Sequence, residues 1–154
     1  PVRLRVCATP LGINPALAGL KTLNRLESVL ARAEWSDGRI WDGLMRDANG
    51  NIVCGSMSNL FLQRGSILAT PRLDRCGVAG VMRRWILNNA GAVGLRAVER
   101  RIRWSDLRSA EEVFMCNAVA GIRSVRIIEG ASAGTLRFRR MDTARQLRSL
   151  LDSQ

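Results

Sequence analysis

Histidine and tyrosine are both absent from this chain of 154 residues, and aromatic residues make up only 5% of it. Without histidine the sequence cannot form a Ser-His-Asp triad, a Cys-His protease or a histidine-ligated zinc site. An acid–base catalyst must therefore be a carboxylate, a cysteine, a water molecule or the single lysine, Lys21.

Long apolar runs are also lacking, since no stretch approaches the roughly 20 residues of a membrane span, and no charged-then-apolar leader begins the chain. The four cysteines are far apart and form no CxxC pair, so we predict buried free thiols and no metal site. With 47% apolar residues the chain can form the core of one domain. We expect a soluble, cytoplasmic protein without membrane association.

The formal net charge is +11 and the isoelectric point is about 11.4, values that nucleic-acid-binding proteins share. The arginines are dispersed, however, and no RNA-recognition signature or aromatic-basic interleaving accompanies them. A solvated basic surface accounts for the charge better, and nucleic-acid binding is kept as a minor alternative.

Of the 24 basic residues, Lys21 is the only lysine and all the others are arginines. A guanidinium stays protonated, whereas a lysine amine can lose its proton and form a Schiff base. Lys21 is therefore the first candidate for covalent amine chemistry. On composition alone, a bias toward arginine that spared one exposed lysine explains the count equally well.

The hydrophobic pattern predicts an α+β fold, a mixed β-rich sheet with a few covering helices. Asn49-Gly50 favours a two-residue hairpin, and Thr70-Pro71 is expected to end a strand. Strands are predicted over 2–8, 40–47, 52–54, 58–63, 66–69, 94–103, 112–117 and 122–128. Helices are predicted over 24–35, 81–89 and 135–151, with a short helical turn at 105–107.

One predicted helix follows a glycine-bearing loop. Residues 76–80 (Cys-Gly-Val-Ala-Gly) lead from the sheet into the helix that starts at Val81. Free backbone N–H groups and the helix dipole at such a position suit a phosphate group. Loops before helices often carry glycine for structural reasons, so this signal is weak by itself.

Three stretches together resemble the fold-type IV pyridoxal-phosphate enzymes, the family of branched-chain and D-amino acid aminotransferases and of aminodeoxychorismate lyase. The first is Ala18 to Glu27, which is most similar to the lyase members, and the third is Glu112 to Val125. The second runs from Cys54 to Arg83 and matches the family signature at Ser56, Asn59, Leu60, Phe61, Leu68, Thr70, Val78, Gly80, Val81 and Arg83.

The resemblance implies that residues 1–154 are the barrel-like, C-terminal cofactor-binding domain of a homodimeric enzyme. Because the chain opens at Pro1 in mid-strand, we expect the small N-terminal domain to be absent from it. The implied cofactor is pyridoxal 5'-phosphate, bound covalently to Lys21, which would also shuttle protons. The other implied cofactor-binding residues are Cys54, Gly80, Val81 and Met82 with their backbone N–H groups, and Asn117 and Ala118 as a second phosphate loop.

Cys54 departs from the family pattern, which has a glutamate that pairs with the pyridine nitrogen at this position. A thiol cannot keep that nitrogen protonated as a carboxylate does, so a weaker electron sink is expected. A lyase that tolerates the change, an impaired relative and a local register shift remain as interpretations. The lyase reaction converts 4-amino-4-deoxychorismate to 4-aminobenzoate and pyruvate in folate synthesis. It needs less of an electron sink than transamination does, because the product ring becomes aromatic. A D-amino acid or branched-chain aminotransferase is the alternative, and an inactive relative is a further one.

Overall fold

The computed structural model of the chain describes residues 1–130 and 134–153, in which one curled sheet carries helices on its outer side. Within these residues no helix is long and apolar enough to cross a membrane. The strands are β1 (Val2–Val6), β2 (Ile40–Arg46), β3 (Ile52–Gly55), β4 (Asn59–Arg64), β5 (Ile67–Pro71), β6 (Arg96–Arg100), β7 (Glu112–Asn117), β8 (Gly121–Glu129) and β9 (Thr135–Arg137). The helices are α1 (Leu26–Arg32), α2 (Val81–Asn89), α3 (Trp104–Ser109) and α4 (Asp142–Asp152), with a short 3₁₀ helix over Ala90–Val93.

The sheet runs in the order β3-β2-β1-β8-β7-β4-β5-β6, and β9 lies beside β8. β1 is parallel to both of its neighbours and β5 is parallel to β6, whereas the other pairs are antiparallel. The two edges of the sheet meet, because the N–H of Ile52 in β3 donates to the carbonyl of Ile102 just after β6 at 2.8 Å. This closure confirms the prediction of a mixed, barrel-like sheet with covering helices.

Two apolar layers follow from the alternation of side chains along the strands. Leu60 of β4 and Val113 of β7 belong to a cluster that also draws on β1, β2 and β8, so this cluster fills the inside of the curl. Their neighbours Phe61 and Phe114 face the other way, and their rings stack with centroids 5.2 Å apart under α2 and α4. The barrel core and the outer helical layer therefore share the same two central strands.

The predicted helix over 135–151 is wrong in its first part. Residues Thr135–Arg137 form β9, which pairs with β8, and the N–H of Phe138 continues this pairing to the carbonyl of Arg126. Phe138 is buried in the barrel cluster. Its burial keeps this segment extended, and α4 begins only at Asp142.

A smaller prediction is also wrong. The β2–β3 hairpin has a three-residue connection, because Asp47 and Asn51 still pair through their backbones and Gly50 takes a left-handed φ of 77°. The Asp47 carboxylate accepts the N–H of Asn51, which favours this longer turn. Strand β5 ends at Pro71 as expected, and its last two residues, Thr70 and Pro71, still pair in parallel with β6.

Helix α1 is shorter than predicted, and its apolar stripe faces away from the core. Leu26, Val29 and Leu30 are 70%, 59% and 53% exposed, while Ala31 is fully buried. Helical spacing in the sequence correctly identified the helix. It could not show that the protein's own core leaves this stripe uncovered.

Replacing Glu112 by Gln should destabilise the fold. Its buried carboxylate accepts the N–H groups of Thr143 and Ala144 at 2.9 and 2.8 Å, which fixes the start of α4 on the sheet. Hydrogen bonds to a charged group contribute about 1.5–3 kcal/mol, so we expect a loss of this order in urea unfolding. The matched control is Glu111→Gln, whose pairing with Arg140 is partly exposed and should cost under about 1 kcal/mol. Equal losses for the two variants would contradict this role of Glu112.

Candidate functional site

A cleft of about 990 Å³ lies where four loops meet. The loops belong to residues 11–28, 54–59, 76–81 and 117–118. Of the residues predicted to bind a cofactor, six line this cleft: Lys21, Cys54, Gly80, Val81, Asn117 and Ala118. Met82 does not line it, and its side chain packs against the cluster under α2.

The position of Lys21 is set by backbone pairing two residues earlier. The N–H of Gly19 donates to the carbonyl of Gly77, and the N–H of Ala79 donates to the carbonyl of Gly19, both at 2.9 Å. Gly19 has a φ of 81°, which favours glycine. Lys21 itself is exposed, and its ammonium makes no hydrogen bond or ion pair with any described residue. Its amine is therefore available to a ligand in the cleft.

The start of helix α2 forms another wall of the cleft. Gly80 is the extended N-cap residue, and no side chain caps the helix. Asn59 holds the preceding loop, since its Nδ2 donates to the carbonyl of Val78 at 2.8 Å. A Cβ at Gly80 would lie 2.4 Å from Oδ1 of Asn59, so this position requires glycine. The first-turn N–H groups, those of Val81 and Met82 among them, are left for an anion.

The turn after β7 completes the rim near α2. The Oδ1 of Asn117 accepts the N–H groups of Val119 and Ala120 at 3.0 and 2.6 Å, which shapes the turn. Its Nδ2 donates to the carbonyl of Met57 at 3.3 Å and ties the turn to the 54–59 loop. The side chain of Asn117 thus serves the turn, and its contribution to a ligand would come from the backbone.

Sequence reasoning missed Asp42, which lies fully buried behind the 54–59 loop. One carboxylate oxygen accepts the hydroxyl of Ser56 at 2.6 Å, and the other accepts that of Ser58 at 2.5 Å. A Cβ at Gly55 would come within 2.1 Å of Oδ2 of Asp42, so only glycine allows this approach. The available signal was an acidic residue inside an otherwise buried strand, because such a residue needs polar partners.

The thiols in the cleft are held in their neutral form. The pKa of Cys54 is raised to about 12, mainly by burial and next by the nearby Asp42 carboxylate. Burial is also the main reason that the pKa of Cys76 is about 11. All four cysteines are free and buried, as predicted. Near neutral pH neither cleft thiol acts as a base or carries negative charge.

The outer rim of the cleft is apolar and exposed. Leu23 and Val119 are 100% and 97% exposed, and Leu20, Met57 and Val81 are more than half exposed. Leu26 of the α1 stripe also lines the cleft and is exposed. Apolar residues concentrated around one opening are typical of a surface that another protein segment covers.

The cleft thiols should resist alkylation in the folded protein. At pH 8 we expect iodoacetamide to modify Cys54 and Cys76 only after denaturation, as read by mass spectrometry. Because folding raises the pKa of Cys54 from 9.0 to about 12, stability from this group is present below pH 9 and falls as the pH rises toward 12. Rapid labelling of folded Cys54 at pH 8 would contradict this environment.

Known proteins similar to this chain include two named as aminodeoxychorismate lyases. The enzyme of Vibrio harveyi is 40% identical over 124 residues, which cover 80% of this chain and 46% of that protein. The crystal structure of 4-amino-4-deoxychorismate lyase from Pseudomonas aeruginosa superimposes with a TM-score of 0.89 at 43% identity, covering 99% of this chain and 54% of that one. The branched-chain-amino-acid aminotransferase of Escherichia coli K12 is 32% identical over 111 residues, which cover 72% of this chain and 36% of that protein.

The chain thus spans about half the length of the two lyases and 36% of the aminotransferase. A family model described as amino-transferase class IV matches residues 2–128, which include every residue that lines the cleft. By sequence and by fold, the chain belongs to the class IV aminotransferase family.

Proposed function

We propose that the chain is the cofactor-binding part of an aminodeoxychorismate lyase, which converts 4-amino-4-deoxychorismate to 4-aminobenzoate and pyruvate for folate synthesis. The observation that carries this proposal is the single lysine, unpaired and exposed in the same cleft as the uncapped start of α2. The similarity to lyases at 40% and 43% identity supports the substrate.

The cleft fits pyridoxal 5'-phosphate. The α2 N-terminus offers backbone donors and a positive dipole to a phosphate, and Lys21 offers an amine to an aldehyde carbon. Its size, about 990 Å³, leaves room for both cofactor and substrate. Bound there, pyridoxal phosphate would supply an electron sink for the carbanion formed beside the substrate nitrogen.

The chain's own groups then have separate tasks. Lys21 would bind the cofactor carbon and, once released by the substrate amine, take up and return a proton at its Nζ. The backbone N–H groups of Val81 and Met82, together with the 117–118 turn, would hold the phosphate. Cys54, being neutral and buried, would border the ring without adding charge. The backbone groups would thus position the cofactor, and Lys21 would carry the proton.

An aminotransferase acting on D-amino or branched-chain amino acids is the alternative, supported by 32% identity to a branched-chain enzyme. It would need a strong electron sink and a second half-reaction with a keto acid. The higher identity to the lyases, 40% and 43% against 32%, favours the lyase, whose loss of pyruvate makes the substrate ring aromatic and is strongly downhill. Nucleic-acid binding has less support, since several arginines already pair with carboxylates, as Arg3 does with Glu129 and Arg39 with Asp37.

We also propose that this domain works with a small N-terminal domain in a cytoplasmic homodimer. The exposed apolar rim and the α1 stripe support a covering surface. The match to about half the length of the relatives supports a second domain. Buried free thiols are consistent with a reducing compartment.

Borohydride trapping tests the cofactor. The protein is mixed with pyridoxal phosphate, its absorbance is recorded, and borohydride reduction is followed by peptide mass mapping. We expect the adduct on the Lys21 peptide, and in this chain by itself the α-amino group of Pro1 is the only other amine. Lys21→Arg, which keeps the charge and lacks a nucleophilic amine, should give none. The test is run on this chain and on the chain joined to an N-terminal domain, and no adduct in either would refute the cofactor.

Product analysis separates the two reactions. With the two-domain protein and 4-amino-4-deoxychorismate, we expect equal amounts of 4-aminobenzoate and pyruvate. Release should be at least about a hundredfold slower in Lys21→Arg, because that variant lacks both the covalent link and the proton-transferring amine. Amino-group transfer from an amino acid to a keto acid, without 4-aminobenzoate, would instead establish the aminotransferase.

A further inference from the structure

Two serine hydroxyls at the floor of the cleft already donate their protons to a buried carboxylate. Ser56 and Ser58 both line the cleft, and both donate their hydroxyl protons to the carboxylate of Asp42 behind it, at 2.6 and 2.5 Å. A serine hydroxyl has one proton and two lone pairs. With the proton directed at Asp42, each hydroxyl can only accept a further hydrogen bond.

This arrangement is fixed by its surroundings. Asp42 also accepts the N–H groups of Gly43 and Ser56 at 2.7 and 3.0 Å, so its contacts are all with donors. The N–H of Gly55 donates to the carbonyl of Ser58 at 2.7 Å and closes the loop into a tight turn. Arg25 donates to the carbonyl of Ser56 at 3.3 Å from the side. If either serine turned its proton toward the cleft, the buried Asp42 carboxylate would lose one of its two short hydroxyl hydrogen bonds.

An acceptor-only surface backed by a negative charge selects a cationic donor. The Asp42 carboxylate lies directly behind the two serine hydroxyls, and it raises the pKa of Cys54 second to burial, while Arg25 lowers it. A neutral heteroaromatic nitrogen is itself an acceptor and would meet lone pairs only. A protonated ring nitrogen would donate to a hydroxyl and would be stabilised by the carboxylate behind it.

We propose that Asp42, acting through Ser56 and Ser58, makes the cleft floor an acceptor site for a protonated heteroaromatic nitrogen, which under the proposed function is the ring nitrogen of the cofactor. Asp42 is thus a positioning residue that does not touch the ligand. The buried carboxylate and its two serines supply the negative end of the site, which the neutral thiol of Cys54 does not provide.

The test compares two ligands that differ only at the ring nitrogen: pyridoxal 5'-phosphate and its 1-deaza analogue, in which C–H replaces that nitrogen. Dissociation constants are measured from absorbance and tryptophan fluorescence in whichever version of the protein forms the Lys21 adduct. We expect pyridoxal phosphate to bind at least about tenfold more tightly, as one charge-assisted hydrogen bond predicts. Asp42→Asn should bring the ratio close to one, and Ser56→Ala or Ser58→Ala should lower it according to which hydroxyl accepts.

The matched control is Glu27→Gln. Its carboxylate also lines the cleft, but it accepts the N–H of Gly12 at 2.9 Å and backs no serine, so the ratio should stay at the wild-type value. Equal affinities in the wild-type protein, or an unchanged ratio in Asp42→Asn, would overturn the inference while leaving the proposed function intact. If Asp42→Asn does not fold, the two serine variants decide the matter in the same way. Failure of both ligands to modify Lys21 would overturn the proposed function and this inference together.

Discussion

Two backbone hydrogen bonds between Gly19 and the 77–79 segment determine where the site lies. They join a loop without regular structure to the entry of helix α2, although about 60 residues separate the two segments along the chain. The lysine of one loop and the free N–H groups of the other consequently face one cleft. Each feature alone is common in proteins, and only their pairing gives a place where an aldehyde and a phosphate of one molecule can bind together.

Buried carboxylates organise the elements around this pairing. Asp42 fixes the 54–59 loop, Asp47 shapes the hairpin before it, and Glu112 anchors the start of α4. In each case the carboxylate accepts backbone or hydroxyl donors that would otherwise be buried without partners, which is the condition under which a buried acid is tolerated. Asp42 holds a loop that lines the cleft, whereas the barrel interior is held by apolar contacts. The exposed apolar residues around the cleft take no part in these buried contacts, and they are the surface that another protein segment would cover.

Most of the fold could be predicted from the sequence, and the errors share a cause. The strand pattern was confirmed in β1, β2, β4 and β7 because alternating or continuous apolar residues specify strands that are buried on one or both faces. The predictions failed where distant contacts override local preference, as at Phe138, whose burial in the barrel delays the start of α4. The stripe on α1 was predicted as helical but not as exposed, since periodicity specifies a face and not what covers it.

The sequence by itself determined the chemistry available, because composition leaves one amine, no imidazole and a glycine loop before α2 as the candidate groups. It also specified the family through residues close together in the chain. Only the tertiary structure decided that Lys21, Cys54, the start of α2 and the Asn117 turn share one cleft, and that Asp42 stands behind its floor. The reason is physical. Residue type sets what a side chain can do, but strand pairing and loop contacts between distant segments decide which side chains meet. No local sequence pattern contains those distant contacts.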